Sequence, residues 1–466
     1  MKRIKLLLML LVFFNACKKN QPPRDLRIEC PPFGYKDSLV FFRVKATDPE
    51  KEEISYLFDW GDGTQSNWSP FLPSDSFWTD SHRFPDTLKF FIKAIAQDRK
   101  GNRAELTKEF PVIGFAPGRV LWRFHCDEDG NFISSPAIDT VDGTIYCACD
   151  AGHLHALRPD GSEKWRFSVE EEIHSSPVID DNRNIIFATD EGGVYCLSPG
   201  GGFIWSHSLE GEEILSSPAL SRDGNIYIGT ANNIYCLNSS GEILAVRPRF
   251  GGEGLSSPAI DRNGTVFIGG EYFSAYPPDL GAPKWEIPLP DEAKSSPAIS
   301  EEGNVYFGCE DGRIYKDSLP IYYLSGPVSA SPVILGDLII GCDEEGRIYG
   351  FTTTGGDSWV SPFSSGGNPS TPLISDAGIL YVVVDYGKNQ GEDSLFALAL
   401  SSGERLWVTP VKVDSYELVS SPAISPEGII YLGEEGGVVA IVGRGKVAPN
   451  GWPMFRGDLR HTGRKR

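Results

Sequence analysis

Two short patterns in the 466-residue chain have the spacing of metal ligands. Cys147 and Cys149 put both thiols on one face of a strand, and His153 and His155 do the same with two imidazoles. Thiolate and imidazole suit zinc-like ions, but such a site needs three or four ligands, and no third is visible. Structural roles are therefore preferred, and no metal is expected. No nucleophile elbow, phosphate-cradling glycine loop or zinc-protease string occurs. Serines recur before prolines along the whole chain, and a catalytic serine would not be repeated in this way. The expectation is a protein with no catalytic residue and no cofactor.

The nine cysteines fit that reading. Cys149, Cys309 and Cys342 fall at one position of a repeat, and Cys196 and Cys236 at another. Other copies carry Thr, Gly or Ala there, so these are read as small buried strand residues. Cys30 and Cys126 stand in linker-like positions and form the odd pair that an oxidising compartment could join.

A net charge of −20 and a pI near 4.8 argue against a nucleic-acid partner, because phosphates need a basic footprint. A hydrophobic share of 40% supports packed cores. With 51 Gly and 34 Pro the chain is rich in turns and poor in helix. Its length calls for two or three domains.

At the start, Lys2, Arg3 and Lys5 precede an apolar run from Leu6 to Phe14, too short to span a bilayer. Phe14-Asn15-Ala16-Cys17 resembles the bacterial lipoprotein box. Residues 1–16 are thus expected to be a signal peptide, Cys17 the lipidated residue, and 17–25 a polar tether. The address implied is the cell envelope, lipid-anchored, on the periplasmic face of the outer membrane or the cell surface.

Residues 26–113 show short alternating strands: Leu39 to Ala46, Ile54 to Trp60, and Leu88 to Ala96. The strings Ala46-Thr47-Asp48, Phe58-Asp59-Trp60-Gly61-Asp62-Gly63-Thr64, Ser81-His82-Arg83-Phe84 and Ala94-Ile95-Ala96-Gln97-Asp98 resemble the polycystic-kidney-disease (PKD) domain. That resemblance implies a small immunoglobulin-like β-sandwich acting as a spacer. Asp48, Asp59 and Asp62 are expected to tie turns rather than bind calcium.

The rest of the chain is periodic. A Ser-Ser-Pro-like string recurs with its proline at Pro136, Pro177, Pro218, Pro258, Pro297, Pro332, Pro372 and Pro422. Each copy continues with an apolar pair, an Asp/Asn/Gly turn, an Ile-Tyr-type strand, a second turn, another strand and Gly-x-x-x-Trp. Four short strands in about forty residues is the content of one propeller blade. Trp-Asp pairs of the WD40 kind are missing, period-two alternation excludes helical repeats, and a β-helix repeat is far shorter.

The fold class expected is all-β: an eight-bladed β-propeller over 114–446, preceded by the sandwich and followed by a clasp at 447–466. Ser-Ser-Pro opens the innermost strand, where only small side chains fit. Trp122, Trp165, Trp205, Trp285, Trp359 and Trp407 sit on outermost strands, wedged between sheets with the indole N–H on a backbone carbonyl. Ala245 replaces Trp in one copy, and Tyr322 or Tyr323 in another; both interfaces are expected to be looser. Gly118 to Trp122 is an outer strand without a blade of its own, and it should complete the last one.

These repeats resemble the PQQ-like propeller family, which includes quinoprotein dehydrogenases and the BamB-type lipoprotein of outer-membrane barrel assembly. The tail from Trp452 to Gly463 looks like a segment found beside such repeats, with His461 as a hydrogen-bonding residue. The dehydrogenases hold their quinone with adjacent cysteines, a stacking Trp and a calcium site, and no two cysteines are adjacent here.

Two loop classes share one face of a four-stranded blade, and here both are acidic. Glu170, Glu171, Glu172, Glu212, Glu213, Asp311, Glu344 and Glu345 form the expected rim, a surface for a basic segment of an envelope protein. Non-catalytic scaffolding is the function expected. A BamB-type assembly factor is the first alternative and a quinone dehydrogenase the second.

Overall fold

The computed structural model describes residues 20–126, 130–209, 211–249, 255–361, 367–386, 392–413 and 419–465. The signal-like segment and Cys17 lie outside the described residues. Among those described, no helix is long and apolar enough to cross a membrane. The chain divides into two compact units, 1–116 and 117–466.

The first unit contains two sheets. Strands β1 (Arg24–Glu29), β3 (Leu39–Thr47) and β5 (Trp78–Arg83) form one. Strands β2 (Gly34–Lys36), β7 (Arg103–Phe115), β6 (Lys89–Asp98) and β4 (Ile54–Asp59) form the other. Burial alternates along β3 and β6, as it does when one face of a strand meets a core. Phe42, Phe58, Trp60, Phe84 and Phe110 fill that core. Asp48 accepts from the Glu50 and Glu52 amides, and Asp59 accepts from the Gly61 amide. Asp62 holds the Thr64 amide and, at 2.6 Å, the His82 ring, which stacks on Trp60. All three aspartates therefore brace turns.

In the second unit, β8 (Val120–His125) is followed by a sheet of β9 (Ala137–Ile138), β10 (Ile145–Cys149), β11 (His153–Leu157) and β12 (Glu163–Ser168). Sheets of the same order follow over 178–208, 219–248, 259–288, 298–323 and 333–360, and a five-stranded one over 368–410. The last sheet joins Ala423–Ile424, Ile429–Glu434 and Gly437–Val442 to β8. Middle strands are buried on both faces, because each sheet stacks on its neighbours; outer strands alternate with solvent.

The six tryptophans are half-buried on outer strands, each paired across the sheet with a small residue. The pairs are Trp122 with Ala440, Trp165 with Ala156, Trp205 with Cys196, Trp285 with Ala275, Trp359 with Gly350 and Trp407 with Ala397. Indole N–H groups of Trp122, Trp165, Trp205 and Trp359 donate to the carbonyls of Pro159, Pro199, Ser239 and Leu400 in the next sheet. Each of those turns also lays a glycine on the indole. At Gly201 (φ 79°) a Cβ would stand 2.7 Å from the Trp165 ring. Gly-x-x-x-Trp thus describes two interfaces: its glycine serves the preceding sheet and its tryptophan the following one.

The two exceptional copies are filled, not loose. Ala245 packs against the cluster that holds Tyr227 and Leu280, and the Tyr227 hydroxyl donates to the Pro278 carbonyl at 2.6 Å. In the other copy Tyr322 takes the indole position, and its hydroxyl reaches Asp357 at 2.6 Å. An aromatic side chain thus stands at each of these interfaces.

Candidate binding surface at the mouth of the central cavity

The residue before each repeat proline carries a hydroxyl, and these hydroxyls meet at one place. Ser135, Ser176, Ser217, Ser257, Ser296, Ser331, Thr371 and Ser421, one from each sheet, line a cavity of about 250 Å³. The Ser135 amide donates to the Ser176 hydroxyl, Ser176 to Ser217, Ser217 to Ser257, Ser257 to Ser296, Ser296 to Ser331 and Ser331 to Thr371, at 2.9–3.2 Å. A strand opening toward the centre leaves its amide without a ladder partner, and the neighbouring hydroxyl supplies one. The preceding serine works within its own sheet: the Ser175 hydroxyl both accepts from the Ala188 amide and donates to the Ala188 carbonyl.

The tail closes one end of this cavity. Amides of the innermost strands donate to tail carbonyls: Ile138 to Leu459, Ile179 to Arg460, Leu220 to Thr462, Ile260 to Gly463, Ile334 to Trp452 and Ile374 to Pro453. Arg456 is fully buried, and its guanidinium donates to the Pro258 and Pro218 carbonyls at 2.5 and 2.7 Å. Gly463 leaves room for that guanidinium. The His461 ring is buried edge-on to Phe455; burial takes its pKa down to about 3, and the Pro177 backbone opposes this in part.

Phe455 lines the cavity, and the other end is ringed by loops. Loops of the two classes are stitched together by backbone bonds: Asp190 to Glu172, Ile214 to Asp190, Glu310 to Glu292 and Glu344 to Pro327. Of the expected rim, Glu170, Glu172, Glu213, Glu344 and Glu345 are exposed, and Glu344 lines the cavity. Several are engaged locally. Glu171 accepts from Thr189, and Glu212 from Thr230, Asn233 and Tyr235. Asp311 accepts from Tyr315 and the Arg313 amide, and Glu345 pairs with Arg347. Lys294 pairs with Glu310 at 2.9 Å, and both line the cavity. His174 also lines it, and its hydrogen bond to Asp190 raises its pKa.

Among the described lining residues Phe455 is the single hydrocarbon aromatic, and no cysteine takes part. A planar quinone needs a stacking face and a cation clamp, and this hydroxyl-lined cavity does not fit it. Two groups of metal-ligating atoms occur among the described residues: Glu172, His174 and Asp190 at the rim, and the fully buried Cys126, Cys149 and His155. Sequence spacing could not find the second group, because Cys126 follows β8 and so belongs to a different sheet from β10 and β11. Cys30 lies in the first unit and is, like Cys126, a free thiol.

A family model described as outer membrane protein assembly factor BamB matches residues 110–251 and, overlapping, 190–319. No curated protein matches the chain. Among solved structures, BamB from Moraxella catarrhalis is 18% identical, with a TM-score of 0.58 over 69% of this chain and 98% of that one. The C-terminal WD40 domain of Sif2 is 12% identical, with a TM-score of 0.57 over 70% and 98%. The computationally designed Ika8 protein is 14% identical, with a TM-score of 0.55 over 70% and 100%. Repeat sequence and sheet arrangement agree that the second unit is a β-propeller, with repeats similar to those of the BamB family model.

Proposed function

We propose that this protein is a non-catalytic scaffold of the cell envelope, anchored through Cys17, that offers the cavity-mouth face of an eight-bladed ring to a basic segment of a partner protein. The PKD-like first unit serves as its spacer. The observation that carries the reading is the group of exposed carboxylates, Glu170, Glu172, Glu213 and Glu344, on loops of one face. The hydroxyls below them are already bonded to backbone, which leaves the face rather than the hub for recognition. The envelope location is supported by the leader and by the name of the matching family, outer membrane protein assembly factor.

Binding of a labelled Lys/Arg-rich peptide tests this. Affinity should fall steeply between about 0.05 and 0.3 M salt, and it should fall again when Glu172, Glu213 and Glu344 are changed to Lys. Indifference to both changes would sink the proposal. The second reading, help in outer-membrane barrel assembly, rests on the same family match. It predicts that deletion lowers the amount of folded barrel proteins in the native membrane.

A further inference from the structure

The buried pocket between the closing sheet and the first sheet is built like a metal site. Cys126 follows β8, Cys149 ends β10 and His155 lies in β11. One ligand atom from each lies within 4.8 Å of the other two, and all three residues are buried. The His155 Nε2 stands 3.6 Å from the Cys126 sulfur. With metal–sulfur and metal–nitrogen bonds of about 2.3 and 2.0 Å, two corners of a zinc tetrahedron lie roughly 3.5 Å apart.

An independent feature points the same way. The Glu163 carboxylate takes the hydrogen bond of His155 Nδ1 at 2.7 Å. A carboxylate accepts, so Nδ1 carries the proton and Nε2 presents its lone pair to the thiols. Carboxylate, imidazole and metal in this order is the usual way a ligating histidine is oriented. Phe124 and Phe132, with ring centroids 5.2 and 5.3 Å from that of His155, hold the imidazole from two sides. At Gly130 a Cβ would stand 2.9 Å from the Cys149 sulfur, so the glycine keeps the thiol clear. Cys126 also lines a surface cleft with Asn131 and Glu434, which gives an ion a way in.

We propose that Cys126, Cys149 and His155 bind one thiophilic closed-shell cation, Zn2+ or Cu+, which pins the strand completing the last sheet to the sheet beside it. Each thiol releases its proton to solvent as the metal–sulfur bond forms, and His155 Nε2 donates its lone pair. Three protein ligands complete a trigonal Cu+; Zn2+ takes water as its fourth ligand. Cys147 shares a sheet face with Cys149 and lies opposite His155 in register, but it is not one of the three.

The experiment uses the full chain, reduced and stripped of metal, and titrates it with Co2+ as the coloured stand-in for Zn2+. The result expected is a thiolate-to-cobalt charge-transfer band saturating at one equivalent and displaced by Zn2+. The rim carboxylates and His174 cannot produce such a band. It should vanish in Cys126→Ser and Cys149→Ser and persist in Cys147→Ser. Glu163→Gln should keep the band with affinity about 10- to 100-fold weaker. A parallel titration with Cu+ against a chromophoric chelator decides which ion binds more tightly. Because the wild-type spectrum is the primary readout, a misfolded variant does not protect the idea. No thiolate–cobalt band together with no Cu+ uptake by the reduced wild type would overturn it. So would a band kept in Cys126→Ser and lost in Cys147→Ser, or a Cys126–Cys149 disulfide in the isolated protein with no metal uptake after reduction.

Discussion

The backbone N–H of Ser421 donates to the hydroxyl of Ser135 at 3.0 Å, joining residues 286 positions apart. The Ser420 hydroxyl donates to the Ser134 carbonyl beside it, also at 3.0 Å. The amide-to-hydroxyl bond is the one that joins repeats adjacent in sequence, and the Ser420 bond has its like at Ser256, whose hydroxyl donates to the Ser295 carbonyl at 3.0 Å. A second, separate join is the pairing of β8 with Gly437–Val442 at the outer edge.

The belt of hydroxyls makes a direct prediction. Ser176→Ala removes the acceptor of the buried Ser135 amide and should cost about 1–3 kcal/mol. Ser176→Thr should restore most of this, since Thr371 already serves the Ser331 amide. Urea denaturation of the two variants checks it; equal midpoints for Ala and Thr would refute the role given to the hydroxyl.

The indole interfaces should answer to their glycines. Gly201→Ala places a methyl against Trp165 at a positive φ and should destabilise by about 1–3 kcal/mol. Trp165→Ala should cost about 3 kcal/mol. Combined, the two should cost less than their sum, because the added methyl then enters the space the indole left. A double-mutant cycle measured by thermal unfolding decides.

Acid should loosen the tail. The Lys465 ammonium, with the Gly451 amide and Arg262, holds the Glu301 carboxyl at about 2, below its ordinary 4.5. Because the folded value is the lower one, the stabilisation is complete above pH 4.5 and is lost as the pH falls toward 2. Glu301→Gln should be less stable than the parent at neutral pH, and the difference should close in acid. Stability against pH for both proteins is the measurement.

Arg456 is the buried fork of the tail. Arg456→Ala strands the Pro218 and Pro258 carbonyls and should lower the denaturation midpoint clearly. Arg456→Lys should recover only part of this, because an ammonium cannot reproduce the planar fork. Full recovery with Lys would show that charge, not shape, matters here.

Much of this architecture is written in local pattern. Alternation marks β3 and β6, aspartate-rich turns mark the ends of strands, and the forty-residue cadence marks the sheets. The serines were legible as small residues but not as donors and acceptors, since their partners lie in the next repeat. Likewise the tail could be read as packing aromatics on the propeller. That its carbonyls would receive the amides of Ile138, Ile179, Leu220 and Ile260 depends on where the inner strands point. The meeting of Cys126 with Cys149 and His155 is not legible in spacing, because these come together only when β8 joins the last sheet. Tyr227 and Leu280 filled a place that one missing tryptophan had made look empty.

The seating of residues 452–465 at one end of the cavity has a consequence for cooperativity. These residues follow the last strand in sequence, yet the innermost amides of six sheets bond to them. One short segment thereby ties together sheets that are far apart in sequence, so that local loosening of the tail is felt by six of them at once.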